Sequence, residues 1–244
     1  AGDPVPPGQP VRDLAMAMPD DLPFYCLQAR GLDGVSEPFH TVEESAAYYV
    51  QEIRSVQPHG PYNISGGCYG GMIAYEMARL LASQGEEVGV VALIDTYNFS
   101  FAKTLPKPVF LYCNARFAAR RIAHHIAALR HVPAGERGAF LRRRFHALSK
   151  HFAVALAIAA GRDRNQMPID GVPAQLEADE AGRMKDVLNR VLAISMKAAE
   201  NYTPDKYSGR IILFKATERI EEPYEDDTLG WSKFAAEVEL QQAR

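Results

Sequence analysis

The sequence has few cysteines and no long apolar run. Its 244 residues contain three cysteines, and the spacings of Cys26, Cys68 and Cys113 match no pair of metal ligands. Three cysteines cannot all pair within one chain, so the sequence favours a reducing, cytoplasmic setting. The longest purely apolar run, residues 152–160, is much too short to span a bilayer. The sequence therefore gives no sign of a disulfide scaffold, a metal site or a membrane partner.

The net charge is small, at −3, but it is unevenly distributed. Between residues 101 and 164 there are 13 lysines and arginines and 2 acidic residues, a balance of +11 that leaves −14 for the rest of the chain. This asymmetry has two interpretations: a separate unit that meets an acidic partner, or a set of solvated helix faces. Nothing in the charge pattern points to nucleic acid.

The first 95 residues alternate between strand-like and helix-like patterns. The predicted elements are strands at 24–28, 62–65 and 88–94 and helices at 41–56 and 72–83. Thr41 and Glu44 have the spacing of a capping box at the start of the first helix. The apolar, β-branched run at 88–94 is typical of a strand buried on both faces of a parallel sheet. This alternation predicts a doubly wound α/β architecture.

The pattern becomes helical after residue 95. Two amphipathic helices are indicated by apolar residues at three- and four-residue spacing, and a third is predicted over 142–160. The apolar positions are Leu111, Ala115, Ala118, Ile122, Ile126 and Leu129 in one helix and Met184, Val187, Leu188, Val191 and Leu192 in the other. A strand at 209–216 then resumes the sheet, and a last helix and strand are predicted over 230–242. We therefore expect core segments at 1–99 and 201–244 around a helical lid insertion at 100–200, with a flexible linker at 161–173.

The most informative stretch is the hexapeptide Gly-Gly-Cys-Tyr-Gly-Gly at 66–71. It lies between a predicted strand and a predicted helix, with glycine two residues before and two residues after Cys68. This is the nucleophile-elbow pattern of α/β-hydrolases, in which serine is the usual central residue. The pattern predicts a thiol nucleophile that forms an acyl-enzyme. The alternative is a glycine-rich turn around a buried cysteine.

The geometry of a nucleophile elbow explains why glycines flank Cys68 and why a helix follows it. We expect a side chain at residue 66 or residue 70 to crowd the neighbouring strand and helix. The central residue must hold a strained backbone conformation so that its side chain projects from the sheet. The helix that follows directs its positive dipole end at Cys68, which favours a thiolate and an adjacent oxyanion.

Asp95 is the best candidate for an acid that orients a catalytic base. It ends the strand at 88–94, so its carboxylate should emerge at the same sheet edge as Cys68. A turn or cap role is the alternative for Asp95. None of the seven histidines follows the strand at 209–216, where the third member of such a site belongs. The simplest explanation is that the sequence ends before that residue.

Taken together, these motifs resemble type I thioesterase domains, which release the products of nonribosomal peptide synthetases and polyketide synthases. The resemblance implies an α/β-hydrolase fold with a mostly parallel central sheet and a helical lid. It covers most of the chain. The matching stretches are 25–31, 56–62, 66–71 with 74–78, 92–96, and 201–202 with 209–216.

The resemblance also implies a mechanism. An acyl or peptidyl chain arrives as a thioester on the phosphopantetheine arm of an upstream carrier domain, and the domain itself binds no cofactor. Cys68 attacks, a histidine beyond Arg244 serves as base, and Asp95 orients it. The amide of Tyr69 holds the oxyanion, with the amide of Ala1 as the second donor. Hydrolysis or macrocyclisation then releases the product.

Cysteine at position 68 departs from the commoner serine of this family, whether by nature or by engineering. Two alternatives therefore stay open. One is a free-standing cysteine hydrolase that acts on esters or lactones and has the same fold. The other is a catalytically dead module that binds carrier domains.

Overall fold

The computed structural model describes residues 9–19, 21–128, 138, 180–217 and 226–243. The predicted helix at 142–160 and the linker at 161–173 lie outside these residues. Five helices and four strands are bounded in the described part. The helices are α1 (Gln9–Ala17), α2 (Val42–Val56), α3 (Tyr69–Ser83), α4 (Lys107–Ala128) and α5 (Glu180–Asn201), and the strands are β1 (Tyr62–Gly67), β2 (Val88–Ile94), β3 (Tyr207–Ala216) and β4 (Ala235–Ala243).

The four strands form one parallel sheet in the order β1-β2-β3-β4. Gly67 pairs with Ile94, and Ile94 pairs with Phe214, so the carboxyl ends of β1, β2 and β3 lie at one edge. Helix α3 connects β1 to β2, and a short 3₁₀ helix (Phe99–Thr104) follows β2. The predicted α/β architecture with a parallel central sheet is confirmed for the described residues.

One face of the sheet carries the main core. Val91, Leu93, Ile211 and Leu213 are at most 1% exposed and pack with α3 and with the buried ring of Trp231. The Tyr75 hydroxyl donates to the carbonyl oxygens of residues 205 and 234, which ties α3 to the amino ends of β3 and β4. The packing of α3 against the sheet thus positions the residues that follow β1 and β2.

The strand at 88–94 was predicted to be buried on both faces. This was wrong for the face that carries Val90 and Ile94. Val90 and Ile94 point away from the core and are 39% and 40% exposed. β-branched side chains suit either face of a strand, so their abundance in β2 does not reveal which face another element covers.

The predicted buried strand at 24–28 was also wrong. This segment pairs with no strand, and Tyr25 and Leu27 are 67% and 42% exposed. Its apolar run met the pattern of a strand, but a strand also needs a neighbouring backbone to hydrogen-bond, and the described sheet begins at β1. Likewise, residues 232–234 form a turn before β4, where a helix was expected from residue 230.

Helix α2 begins as predicted, but one of the two hydrogen bonds of the capping box differs from the expected bond. The Thr41 hydroxyl accepts a hydrogen bond from the Glu44 amide at 3.1 Å. The Glu44 carboxylate accepts from the amide of His40, at 3.2 Å, rather than from that of Thr41.

Helices α4 and α5 were predicted correctly, but their buried faces were predicted only in part. In α4 the buried residues are Phe110, Asn114 and Ala118, whereas Leu111 and Ile122 are 40% and 45% exposed. In α5 the buried set is Val191, Ala198 and Ala199, and the outward residues include Met184, Leu188 and Leu192. Several apolar stripes fit the helical period in both helices, so periodicity identified the helices but not the covered stripe.

Candidate active site

Cys68 lies between the carboxyl end of β1 and the first residue of α3, in the backbone conformation of an elbow. Its φ is 49° and its ψ is −120°, and its side chain is exposed. A non-glycine residue at positive φ is strained by of order 1–3 kcal/mol, which the surrounding structure must hold in place. The buried-cysteine alternative is thereby excluded, since the thiol faces solvent at the sheet edge.

Two backbone hydrogen bonds hold the elbow. The Cys68 amide donates to the carbonyl oxygen of Ile94 at 3.0 Å, and the Gly71 amide donates to the Cys68 carbonyl oxygen at 3.2 Å. The first bond joins the nucleophile position directly to the last residue of β2. Cys68 is therefore anchored to the strand that carries Asp95.

The glycines matter at different positions from those expected. A Cβ at Gly66 would collide with the backbone of Gly70, as predicted. A Cβ at Gly70 itself meets nothing within 4 Å, so the predicted crowding there was wrong. The crowded helical position is Gly71, where a Cβ would strike the hydroxyl side of Thr96. Sequence spacing identified the turn but could not show which glycine faces its neighbours.

The start of α3 faces the thiol. Tyr69 is its first residue, so the Tyr69 amide has no acceptor within the helix and remains available as an oxyanion donor. The positive end of a 15-residue helix lies beside Cys68. The second predicted donor, Ala1, lies outside the described residues.

Asp95 occupies the position that the sequence predicted. It follows β2 directly, it is half-buried, and one of its carboxylate oxygens is buried. Its amide donates to the carbonyl oxygen of Phe214 at 2.7 Å, and its φ of 43° places a second strained residue next to the elbow. The carboxylate thus follows the strand adjacent to the one that leads to Cys68.

Sequence reasoning missed the residues that fix this turn. Thr96 is fully buried, donates from its hydroxyl to the Ile94 carbonyl oxygen, and fills the space beside Gly71. The indole N–H of Trp231 donates to the Thr96 carbonyl oxygen at 2.8 Å. A lone tryptophan distant in sequence was the one available signal, because buried tryptophans usually find a partner for the indole N–H.

A histidine is the residue type expected for the base between Cys68 and Asp95. Two of the histidines in the described residues contact other acids. His40 lies 3.5 Å from the Glu37 carboxylate, and His59 lies 3.7 Å from that of Glu86. His124 and His125 lie in α4, and the remaining three are outside the described residues. That none of the seven is the base stays a prediction.

A buried polar cluster links the elbow helix to the end of α5. Glu76 is 4% exposed and accepts from the Tyr202 hydroxyl at 2.8 Å and from the guanidinium of Arg79. Burial and the adjacent Glu76 carboxylate raise the pKa of Tyr202, so its hydroxyl stays protonated and donating. The cluster joins α3, which begins at the elbow, to the segment that leads into β3.

Within the described residues, no group of three or more histidine, cysteine, aspartate or glutamate side chains is arranged to hold a metal ion. No helix in that part of the chain is both long and apolar enough to cross a membrane.

Residues 11–104, which include both Cys68 and Asp95, match the family model described as Thioesterase domain. Over 68 residues, the sequence is 54% identical to the nonribosomal peptide synthetase apvA of Aspergillus terreus. These residues make up 28% of this chain and 7% of that protein. Over 80 residues it is 49% identical to the polyketide synthase PksR of Bacillus subtilis, 33% of this chain and 3% of that protein. The match therefore spans less than a tenth of either relative.

Two solved structures that match this chain cover most of its length. A four-domain nonribosomal peptide synthetase bound to AMP and glycine superposes with a TM-score of 0.49 at 26% identity, over 89% of this chain and 15% of that one. The NocB thioesterase domain, in covalent complex with a fluorophosphonate nocardicin G analogue, gives a TM-score of 0.45 at 22% identity. The match covers 86% of this chain and 68% of that one.

Proposed function

We propose that this chain is a chain-releasing thioesterase. It takes an acyl or peptidyl chain from the phosphopantetheine arm of an upstream carrier domain onto Cys68 and releases it by hydrolysis or macrocyclisation. The observation that carries the proposal is the exposed Cys68 thiol, held at positive φ between β1 and α3, one strand away from Asp95. The family match over 11–104 supports the reaction class.

The proposed acylation step transfers the chain from one sulfur to another. The Cys68 thiolate attacks the thioester carbonyl, and a bond forms between its sulfur and the carbonyl carbon. The bond from that carbon to the sulfur of the arm then breaks, and the arm leaves with the electron pair and takes up a proton. An imidazole between Cys68 and Asp95 would remove the thiol proton and return it to the leaving sulfur.

The oxyanion of the tetrahedral intermediate would sit beside the Tyr69 amide. A donor of this kind lowers the barrier by about 3 kcal/mol. Asp95 would fix the orientation of the imidazole and stabilise its charged form. Ala1 remains the proposed second donor.

Release requires a second acceptor for the acyl group. Water gives the free acid, whereas an amine or hydroxyl within the chain gives a ring. A thioester-linked intermediate is a more reactive acyl donor than an ester, which suits transfer to an amine. We propose that the helices within 100–200 act as a lid that excludes water and so decides between these outcomes. The basic residues of 101–164 would suit an acidic carrier domain.

The test is turnover of a small acyl thioester by the full-length protein, followed as release of free thiol. Wild type should turn over the thioester. In Cys68→Ala the turnover rate should fall by at least about a thousandfold, because the nucleophile is gone. Cys26→Ala removes another exposed cysteine and is the matched control, with no expected change. Equal rates for wild type and Cys68→Ala would refute the proposed nucleophile, and a wild type without activity would favour the binding-module alternative.

A further inference from the structure

Arg30 lies in an aromatic cluster formed by the loop that precedes α2 and by α2 itself. Its guanidinium carbon is 5.0 Å from the ring centroid of Phe39 and 5.7 Å from that of Tyr48. Both rings also pack on Tyr49, at centroid distances of 6.4 and 5.7 Å. A guanidinium within about 6 Å of two ring faces is held by cation–π attraction. The cluster therefore fixes the position of a positive charge at the surface.

The N–H groups of this guanidinium remain open to a ligand. Arg30 is exposed, and within the part of the chain that the structure describes its guanidinium has no hydrogen-bond or ion-pair partner. Two acidic side chains of the loop already have other partners. Glu37 pairs with Arg190 at 2.6 Å, and Asp33 accepts from the amides of Val35 and Ser36. Arg30 is thus a positive charge of this loop whose guanidinium has no counterion among the described residues.

The cluster includes residues of α2, whose first turn also reaches the start of α3. Helix α2 ends six residues before β1 begins, so it runs antiparallel to that strand and starts near the carboxyl edge of the sheet. Ser45, in its first turn, lies against the side chain of Tyr69, the residue that follows Cys68. Tyr48 is one turn further along the same helix. Arg30 and Tyr69, the residue after Cys68, therefore both lie beside the first part of α2.

We propose that Arg30 binds the phosphate of the phosphopantetheine arm that delivers the thioester. This inference rests on the proposed function, because the arm is the donor in that reaction. An arginine offers five N–H donors in a planar fork that matches phosphate geometry. Because the aromatic cluster already restricts the side chain, less conformational entropy is lost when the phosphate binds.

The experiment compares two acyl donors that differ only in the phosphate, acyl-pantetheine and acyl-4′-phosphopantetheine. The rate at which each acylates Cys68 is measured in the full-length protein. Wild type should prefer the phosphorylated donor by about tenfold, the value of one charge-assisted contact of roughly 1.4 kcal/mol. Arg30→Met keeps much of the apolar stem and should abolish this preference without slowing acyl-pantetheine.

A matched control and a second variant sharpen the test. Arg210→Met removes an equally charged, exposed side chain from the amino-terminal half of β3 and should keep the preference. Phe39→Leu leaves Arg30 in place but removes one ring of the cluster, so the preference should fall by a smaller factor. Thermal unfolding of each variant shows that the fold is retained.

The outcomes separate the two proposals. Equal rates for both donors in wild type, or an unchanged preference in Arg30→Met, would overturn the role of Arg30 and leave the thioesterase assignment intact. Failure of either donor to acylate wild type would overturn the proposed function and this inference with it. Inhibition of both donors alike by inorganic phosphate, in wild type and Arg30→Met equally, would also contradict a phosphate site at Arg30.

Discussion

At the scale of single residues, two strained backbones define the site. Cys68 and Asp95 have φ values of 49° and 43°, and each follows the last residue of a parallel strand. The bonds from the Cys68 amide to Ile94 and from the Asp95 amide to Phe214 hold both residues to the adjacent strand. Strain of this kind persists only where the neighbours over-determine it, and here the neighbours are strand ends and the buried Thr96.

The fit of Gly71 against Thr96 gives a stability prediction. Gly71→Ala should lower the free energy of unfolding by about 1–2 kcal/mol, since overpacking outweighs the gain in helix propensity. Urea denaturation measures it. Gly70→Ala is the matched control, because its new methyl group meets no atom within 4 Å, and it should be neutral or stabilising.

A double variant tests whether the collision is the cause. Combining Gly71→Ala with Thr96→Ala removes the obstructing side chain, so the two losses should be less than additive. Strict additivity would contradict the steric account.

The buried Glu76 cluster gives a second stability prediction. Tyr202→Phe removes a donor to a carboxylate that is 4% exposed, so the free energy of unfolding should fall by about 1–3 kcal/mol. Denaturation of Tyr112→Phe, at a tyrosine that is 65% exposed, should show almost no change. An unchanged free energy of unfolding in Tyr202→Phe would mean that Arg79 alone satisfies the Glu76 carboxylate.

At the scale of elements, the sequence predicted what depends on local chemistry. The N-cap at Thr41, the strand at 88–94 and the turn at 66–71 each rest on a pattern of a few adjacent residues, and each lies where it was expected. Asp95 was placed correctly because a carboxylate at the end of a parallel strand must emerge at the carboxyl edge.

The elements that were missed depend on contacts distant in sequence. The segment 24–28 matched a strand but has no pairing strand. In α4 the buried Phe110 and Asn114 lie one residue before the predicted Leu111 and Ala115, because packing, rather than periodicity, selects the buried stripe. The contact of Thr96 with Gly71 and the bond from Trp231 to Thr96 join residues that no local pattern connects.

The loop before α2 gives a prediction about pH. The hydroxyl of Ser36 and the amides of Val35 and Ser36 lower the pKa of Asp33 from 3.8 to about 2. Because the folded-state pKa is depressed, the stabilisation from this turn is fully present above about pH 4 and is lost as the pH falls toward 2. Ser36→Ala should move the Asp33 pKa back toward 3.8, as measured by an NMR titration.

The control for that titration is Ser55→Ala. Ser55 donates to a backbone carbonyl within α2 and does not touch Asp33. The Asp33 pKa should be unaffected by it. An unchanged pKa in Ser36→Ala would show that the backbone amides alone account for the shift.

At the scale of the whole molecule, the parallel sheet is what brings the site together. Parallel strands end at the same edge, so residues 27 positions apart in sequence, Cys68 and Asp95, follow neighbouring strands. The face of the sheet under α3 is closely packed, which gives the elbow a rigid base. The site therefore follows from the order of the strands, and the chemistry from which residue stands at the end of each.

The most direct test of the account is the mass of the full-length protein after brief exposure to an acyl thioester. We predict an increase of one acyl group, located by peptide mapping on the peptide that contains Cys68, absent in Cys68→Ala and retained in Cys26→Ala. An acyl group that persists in Cys68→Ala, or that maps to another residue in wild type, would contradict the claim that the elbow thiol is the nucleophile.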